Sequence, residues 1–132
     1  MTTLPISIDL ELDNQFVEDV IVGALEGGSN YWIDHVKINH PGGANPKDVP
    51  VSIWGAHALI NGGFIVFYFD DDIARLELGQ FIKGVGLWIK TNPSSMEIIK
   101  VNGKFTIDTC IIDAGDADNI LQYALFEEVV YG

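Results

Sequence analysis

The sequence predicts a single α+β domain, residues 1–132, in which about three amphipathic helices pack on an antiparallel sheet. Several short segments have the alternating or continuous apolar residues of strands, and three longer segments carry apolar residues at helical spacing. Turn residues connect neighbouring strand segments directly, without the regular strand–helix alternation of a doubly wound fold. A chain of 132 residues is long enough for one hydrophobic core.

The first segment, residues 4–12, alternates apolar residues with polar or acidic ones, which predicts a strand with one buried face and one acidic face. Pro5 favours an edge position for this strand, because proline cannot donate a hydrogen bond to a sheet. A first helix follows, with Asp13 or Asn14 as its N-cap. It ends at residues 27–28, where two glycines can take the left-handed conformation that closes a helix.

The middle of the chain is predicted to be rich in strands. Residues 31–38 form a second strand, and a loop rich in glycine and proline follows over residues 40–50. Two short strands are predicted at residues 51–54 and 56–60. The apolar and aromatic residues 64–69 predict a strand that is buried on both faces or in a dimer.

After this strand, the sequence predicts a further strand and then a helix. Residues 73–76 are a candidate strand, and residues 78–90 carry apolar side chains on one helical face, which predicts a second helix with Trp88 in the core. Residues 96–101 and 104–112 are predicted to form a hairpin, because the Asn-Gly pair between them favours a tight turn.

A third helix closes the predicted fold. Asp113 or Asp116 caps it, and residues 129–131 leave it as a short strand or an extension. The single cysteine, Cys110, lies in the apolar pattern before this helix, so we expect a buried and unreactive thiol there.

The charge of the chain restricts the functions that it can have. Nineteen Asp and Glu residues stand against seven Lys and Arg residues, a formal net charge of −12, in a chain that is 48% hydrophobic. A disordered acidic tail would contain fewer aliphatic and aromatic residues, so the carboxylates are expected on a folded surface. This charge disfavours direct binding of nucleic acid, which needs a basic face, and favours a protein partner with a basic surface.

No motif in the sequence indicates catalysis, a cofactor or a metal. The nucleophile-elbow, Walker and dinucleotide-binding fingerprints are missing, and the three histidines lack the spacing of a zinc site. Consecutive strand residues point to opposite faces, so Asp70, Asp71 and Asp72 would not converge on one cation without a turn. Helix capping explains the aspartates of residues 113–118. We therefore predict a protein that is not an enzyme and has no catalytic residue, cofactor or metal.

The sequence also predicts the cellular location of the protein. Residues 1–9 have neither the basic start nor the apolar core of a signal peptide, and no apolar run approaches the length of a membrane span. One cysteine precludes an internal disulfide, which suits a reducing compartment. We expect a cytoplasmic protein that binds no membrane.

Two segments resemble a group of small phage and prophage proteins of Gram-positive and gut bacteria. They are residues 18–32, EDVIVGALEGGSNYW, and residues 108–126, DTCIIDAGDADNILQYALF, about a quarter of the chain. The resemblance implies a mobile-element origin and a place in the host bacterial cell, and it carries over neither an activity nor catalytic residues. Small acidic phage proteins often inhibit host defence, as anti-CRISPR proteins and nucleic-acid mimics do, so the resemblance implies an inhibitor by analogy.

We therefore predict an acidic protein that inhibits a nucleic-acid-handling host protein, such as a CRISPR effector, by binding its basic surface. A homodimer is left open. The predicted partner-binding residues form three acidic groups: Asp9 and Glu11; Asp70, Asp71 and Asp72; Glu127 and Glu128.

The alternative prediction is a sponge that sequesters a nucleotide immune messenger. Such a pocket would stack the base on aromatic side chains and hold the phosphates with one or two lysines. The candidate residues for this pocket are Tyr31, Trp32, Lys37, Lys47 and Trp54.

Overall fold

The computed structural model describes residues 2–92 and 97–132, and it confirms the α+β fold class. Among the described helices, none has the length and apolarity needed to cross a membrane. The helices are α1 (Asn14–Gly23), α2 (Val51–Ile60), α3 (Leu78–Thr91) and α4 (Ala114–Phe126). The strands are β1 (His35–Asn39), β2 (Phe64–Phe69), β3 (Asp72–Leu76), β4 (Ile98–Val101) and β5 (Lys104–Ile107).

Two helices begin at aspartates that the sequence predicts as caps. Asp13 accepts a hydrogen bond of 2.9 Å from the amide of Phe16, and α1 runs on into a π-helical turn, Ala24–Gly28. At α4, Asp113 accepts from the amide of Asp116 at 2.8 Å, and the Asp116 side chain accepts from the amide of Asp113 at 3.2 Å. Aspartate is favoured at these positions because it binds amides that the helix leaves unpaired and faces the positive end of the helix dipole.

The larger sheet is a meander in the order β1-β2-β3, and both neighbouring pairs are antiparallel. Side chains along the central strand, β2, alternate between buried and half-buried, with Ile65, Phe67 and Phe69 in the core. Burial of residues 64–69 on both faces is therefore wrong, because within the described chain only alternate residues of β2 are fully buried. The alternative, burial in a dimer, stays a prediction.

The two strands predicted at residues 51–54 and 56–60 are also wrong, because these residues form α2. This helix packs against α1, β1 and β2. Gly55 allows the close approach to the sheet, since a Cβ there would lie 3.0 Å from Ile38 Cδ1 and 3.1 Å from Ile65 Cδ1. Because α2 is contacted on several sides, its sequence is apolar on all faces. It therefore lacks the helical periodicity that predicts α1 and α3.

The strand predicted for residues 4–12 does not form. Within residues 2–12, one β-bridge is present, between Leu10 and Phe105 of β5 in parallel orientation. The amide of Glu11 donates to the Phe105 carbonyl at 2.8 Å. An alternating pattern becomes a strand only where a neighbouring strand supplies hydrogen bonds, and β5 is short.

The second predicted strand begins later than expected, at His35, because its partner β2 ends at Phe69. Residues 31–32 lie in a turn. The side chain of Cys110, expected to be buried, lies outside the described part of the molecule, as does Met96 at the expected start of the second hairpin.

The remaining predicted elements agree with the structure apart from their ends. β3 and α3 lie where residues 73–76 and 78–90 predict them, and β4 and β5 form a hairpin about Asn102–Gly103. The strand predicted over residues 104–112 is wrong beyond Ile107, because Thr109–Ile111 form a 3-10 helix. Residues 129–131 form an extension and not a strand.

The core lies between the larger sheet and the helices. Trp88 of α3 and Phe67 of β2 are fully buried. Helices α3 and α4 approach closely at Gly84, where a Cβ would lie 2.6 Å from the backbone of Ala124. Glycine weakens an isolated helix by about 1 kcal/mol relative to alanine, but here it makes the helix contact sterically feasible.

Candidate functional site

The three predicted acidic groups differ in how their charges are paired. Glu11 forms an ion pair of 3.2 Å with Lys104. Glu127 accepts a hydrogen bond of 2.9 Å from Lys83, which lowers the pKa of the Glu127 carboxyl below its ordinary value. In the described part of the chain, no Lys or Arg forms an ion pair with the carboxylates of residues 70–72.

The other members of the first and third groups are exposed. Asp9 borders an apolar groove beside α3. Glu128 follows Glu127, the residue in left-handed conformation that ends α4. The three groups therefore lie on different elements of the fold.

Asp70–Asp71 is the two-residue turn between β2 and β3. Phe69 pairs with Asp72 across this turn, and the two aspartates have φ angles of +45° and +61°. Two positive φ angles are typical of a type I′ turn, for which Asn-Gly is preferred because positive φ is unfavourable for a residue with a Cβ. The β4–β5 hairpin has that preferred pair, Asn102–Gly103, at φ +52° and +80°. The chain thus uses the favourable pair in one hairpin and two aspartates in the other.

Asp71 of this turn lines a groove of about 250 Å³ at the end of the larger sheet, together with Asp34 and Asp72, and we call it the acidic groove. Within it, the rings of His35 and Tyr68 stack at 4.2 Å between centroids, and the side chain of Ile73 is 65% exposed. Aromatic side chains are enriched at protein-binding sites, and charges around them steer a partner of opposite charge. The lining residues are Asp34, His35, Tyr68, Phe69, Asp71, Asp72 and Ile73.

Tyr131 connects the turn to the interior of the protein. Its hydroxyl donates a hydrogen bond of 2.8 Å to Asp70 Oδ2, and this bond to a carboxylate raises the pKa of the Tyr131 phenol. The Tyr131 ring stacks on Trp32 at 4.9 Å, and its amide donates to Gln122 Oε1 at 2.8 Å. Asp70 is thereby held against α4 and the core.

Asp118 is the centre of a buried polar cluster behind this contact. Its side chain accepts hydrogen bonds from Ser29 Oγ and Trp32 Nε1 at Oδ1, both at 2.8 Å. The Tyr31 hydroxyl and Gln122 Nε2 donate to Oδ2 at 2.7 and 3.1 Å. Burial, together with the bond to this carboxylate, raises the pKa of the Tyr31 phenol. Four donors satisfy both carboxylate oxygens, as burial of a polar group requires.

This Asp118 cluster joins the two segments for which a resemblance to phage proteins is predicted. The donors Ser29, Tyr31 and Trp32 belong to residues 18–32, and Asp118 and Gln122 belong to residues 108–126. Helix capping, which explains Asp113 and Asp116, does not explain Asp118.

One signal in the sequence could have identified Asp118. Asp118 and Gln122 are one helical turn apart and share a face of α4 with Leu121 and Leu125, so two polar residues interrupt an apolar stripe. Polar residues on the buried face of a helix need partners inside the protein.

The first two candidate residues of a nucleotide pocket have different surroundings. Trp32 is buried at 6% exposure, where it packs against Phe69, Phe126 and Tyr131. Tyr31, the next residue in the chain, is 58% exposed. Of this pair, only the Tyr31 ring is open enough to stack a base.

The other three candidate pocket residues lie on three different parts of the fold. Trp54 of α2 stacks on His40 at 3.8 Å between ring centroids. Lys37 of β1 lies over the ring of Tyr68 at 5.4 Å. Lys47 is exposed in the loop before α2.

Comparisons of the chain with known protein families, with curated proteins and with solved structures find no match. The resemblance of two segments to phage proteins stays a prediction. The function is therefore inferred from the geometry of the acidic groove and the Asp118 cluster.

Replacing Asp70–Asp71 with Asn-Gly, the pair found in the β4–β5 turn, should stabilise the protein. Glycine relieves the positive φ at residue 71, and asparagine at residue 70 removes a negative charge while keeping an oxygen for the Tyr131 hydroxyl. We expect the free energy of unfolding to rise by about 1 kcal/mol, measured by urea denaturation with an unchanged m-value.

The matched control is the reverse change in the other hairpin, Asn102→Asp with Gly103→Asp. It should destabilise the protein by a similar amount, because it places two aspartates at positive φ. Unchanged or lower stability of the Asn-Gly variant at residues 70–71 would contradict strain in the β2–β3 turn.

Proposed function

We propose that the protein acts by binding, and that the acidic groove with the turn at residues 70–72 engages a basic surface of a partner protein that handles nucleic acid. The observation that carries this proposal is that Asp34, Asp71 and Asp72 line the groove and Asp70 lies next to them in the turn. Within the described residues, none of these four carboxylates has a Lys or Arg ion pair. Carboxylates that share a surface repel one another, so a cationic partner would relieve the repulsion and be steered towards the site.

The composition of the β2–β3 turn supports a role in binding. Two aspartates at positive φ cost stability that Asn-Gly would not cost, and their charges add repulsion. Residues that break a local rule of folding are expected at sites that serve another purpose. The exposed Ile73 and the His35–Tyr68 stack lie beside them and provide surface for contact.

The most specific form of this proposal is a non-enzymatic inhibitor of a host defence protein, of the anti-CRISPR or nucleic-acid-mimic type. Carboxylates that lack a Lys or Arg partner compete with phosphates for the basic surface of a nucleic-acid-binding effector. The resemblance of residues 18–32 and 108–126 to phage proteins supports this context. The host bacterial cytoplasm is where such an inhibitor would meet its target.

Neutralising the turn should weaken binding without unfolding the protein. The variant with Asp70→Asn, Asp71→Asn and Asp72→Asn keeps the shape of the turn and removes three negative charges. We expect the Kd for the partner to rise about tenfold at low salt, mainly through slower association, and the difference to shrink as salt is added. The protein is immobilised, partners are captured from host lysate, and the purified partner is titrated by biolayer interferometry at several salt concentrations.

A matched control separates this site from net charge alone. Asp19→Asn, Asp48→Asn and Glu97→Gln remove the same three charges from exposed residues elsewhere on the surface and should leave the Kd within about twofold. Equal loss of affinity in both triple variants would contradict a specific site. The captured protein must also be basic, and the wild-type chain must block its binding to nucleic acid; a partner without these properties refutes the proposal.

The other two acidic groups are predicted to contribute less. Glu11 and Glu127 have lysine partners, which neutralise part of the field that a basic partner would meet. Neutralising Asp9 with Glu11, or Glu127 with Glu128, in the same titration should change the Kd by less than the variant at residues 70–72 does.

A further inference from the structure

The segment before α1 leaves a row of apolar side chains in water. Leu4, Ile6 and Ile8 alternate with polar residues and are 72, 84 and 49% exposed. Residues 2–9 form no helix or strand within the described chain. A contiguous apolar row of this kind marks an interaction site in a soluble protein.

The apolar row continues onto α3. A groove of about 440 Å³ lies between this segment and the helix. Ile82, at the helix side, is 50% exposed. The groove is lined by Ile8 and Leu10 of the segment and by Ile82, Val85 and Ile89 of α3. The exposed apolar surface therefore extends beyond the segment itself.

The bridge to β5 determines which backbone groups of the segment are free to pair. The amide of Glu11 points towards β5, where it donates to the carbonyl of Phe105. Backbone groups point to alternate sides along a strand. If residues 4–9 extend as a strand from this bridge, the amides and carbonyls of the even-numbered residues point away from β5. Ile6 and Ile8 are among them. Within the described residues, neither of these two makes a backbone hydrogen bond.

We infer that residues 4–8 pair antiparallel with the same residues of a second copy of the chain, around a two-fold axis at Ile6. In this register Ile6 faces Ile6 and Leu4 faces Ile8, so the apolar rows of both copies lie on one face of a two-stranded ribbon. The pairs that exchange hydrogen bonds are those of the even-numbered residues, whose backbone groups point away from β5. The segment is thus complementary to itself, as a two-fold interface requires.

The polar residues of the segment fit the same register. Pro5 lies opposite Ser7, at a pair that exchanges no hydrogen bonds, so the amide that proline lacks is not needed. Asp9 lies opposite Thr3, so no two carboxylates face each other across the ribbon. The apolar side chains of the two copies therefore lie next to each other on one face of the ribbon.

The dimer and the binding of a basic partner respond to salt in opposite directions. Each copy carries a formal net charge of −12, so repulsion opposes the dimer and salt strengthens it by screening. Salt weakens the complex of the acidic groove with a basic partner. The dimer does not depend on the proposed function. Measuring dimerisation and partner binding separately over a range of salt concentrations shows which of the two proposals fails.

Sedimentation equilibrium tests the dimer directly. Because few residues pair, we expect a weak dimer whose average mass rises from 14.5 kDa towards twice that value between about 1 and 300 µM protein, and rises further at higher salt. Ile6→Asp places two carboxylates face to face at the axis and should weaken dimerisation at least about tenfold. The matched control, Ser7→Asp, adds the same charge opposite Pro5 and should change it by less than about threefold.

Mixing two variants identifies the register. Ile6→Asp and Ile6→Lys should each be monomeric alone, and an equimolar mixture should form a heterodimer, because only pairing around Ile6 brings the two substituted residues together. Ile6 is 84% exposed, so both variants should keep the thermal unfolding midpoint of the wild-type chain, checked by circular dichroism. A wild-type monomer at 300 µM and high salt overturns the inference, as does equal disruption by Ser7→Asp or a mixture that stays monomeric.

Discussion

Replacing Asp118 with alanine should lower the free energy of unfolding by about 3 to 5 kcal/mol. The carboxylate accepts hydrogen bonds from Ser29, Tyr31, Trp32 and Gln122, and its removal leaves all four donors without this acceptor. Ser29 and Trp32 are buried, so water cannot replace the carboxylate for them without rearrangement, whereas Gln122 Nε2 keeps the Tyr131 carbonyl at 3.2 Å. Each buried donor that loses its partner costs about 1 to 3 kcal/mol. Urea unfolding followed by circular dichroism measures the change.

Asp118→Asn is the matched control for this prediction. Asparagine keeps the size of the side chain and one oxygen for Ser29 and Trp32, but its amide group faces the amide group of Gln122, so two donors meet. We expect roughly half of the loss caused by alanine. A loss below about 1 kcal/mol for Asp118→Ala would contradict the central position of this residue in the cluster.

Replacing Trp88 with alanine should also lower the free energy of unfolding by about 3 to 5 kcal/mol. The indole is fully buried on α3, and its removal leaves a cavity that the close contact of α3 with α4 at Gly84 keeps from collapsing. Denaturant midpoints with unchanged m-values measure the effect.

Trp88→Phe separates the volume of the side chain from its polar group. The Trp88 Nε1 has no hydrogen-bond partner within the described residues, so phenylalanine removes an unpaired donor and leaves a smaller cavity. The loss should be less than half of that for alanine. A change in the free energy of unfolding below about 1 kcal/mol for Trp88→Ala would contradict the placement of this residue in the core.

The elements predicted correctly are those whose signals act over a few residues. Asp13 and Asp113 cap their helices by binding amides three residues later, and Asn102–Gly103 closes a two-residue turn. The periodicity of α3 survives because one face is buried and the other is exposed. Such interactions form wherever the local sequence is placed, so they can be recognised without the rest of the fold.

The wrong predictions concern segments whose structure depends on distant neighbours. The residues of α2 contact α1 and two strands, which makes the helix apolar all round and its pattern ambiguous between helix and strand. Residues 4–12 have the pattern of a strand, but within the described chain they form a single β-bridge, to Phe105.

The sequence by itself determined the acidity of the surface, the α+β class and the lack of any catalytic motif, because composition and local pattern do not depend on the path of the chain. Only the tertiary structure decided which carboxylates are paired. Lys104 and Lys83 reach Glu11 and Glu127 from distant positions in the sequence, and in the described chain no Lys or Arg pairs with residues 70–72. Asp118 likewise obtains three of its four donors from residues 29–32, across the fold. Ion pairs and buried hydrogen bonds act over a few ångströms, so they depend on which distant segments the fold brings together.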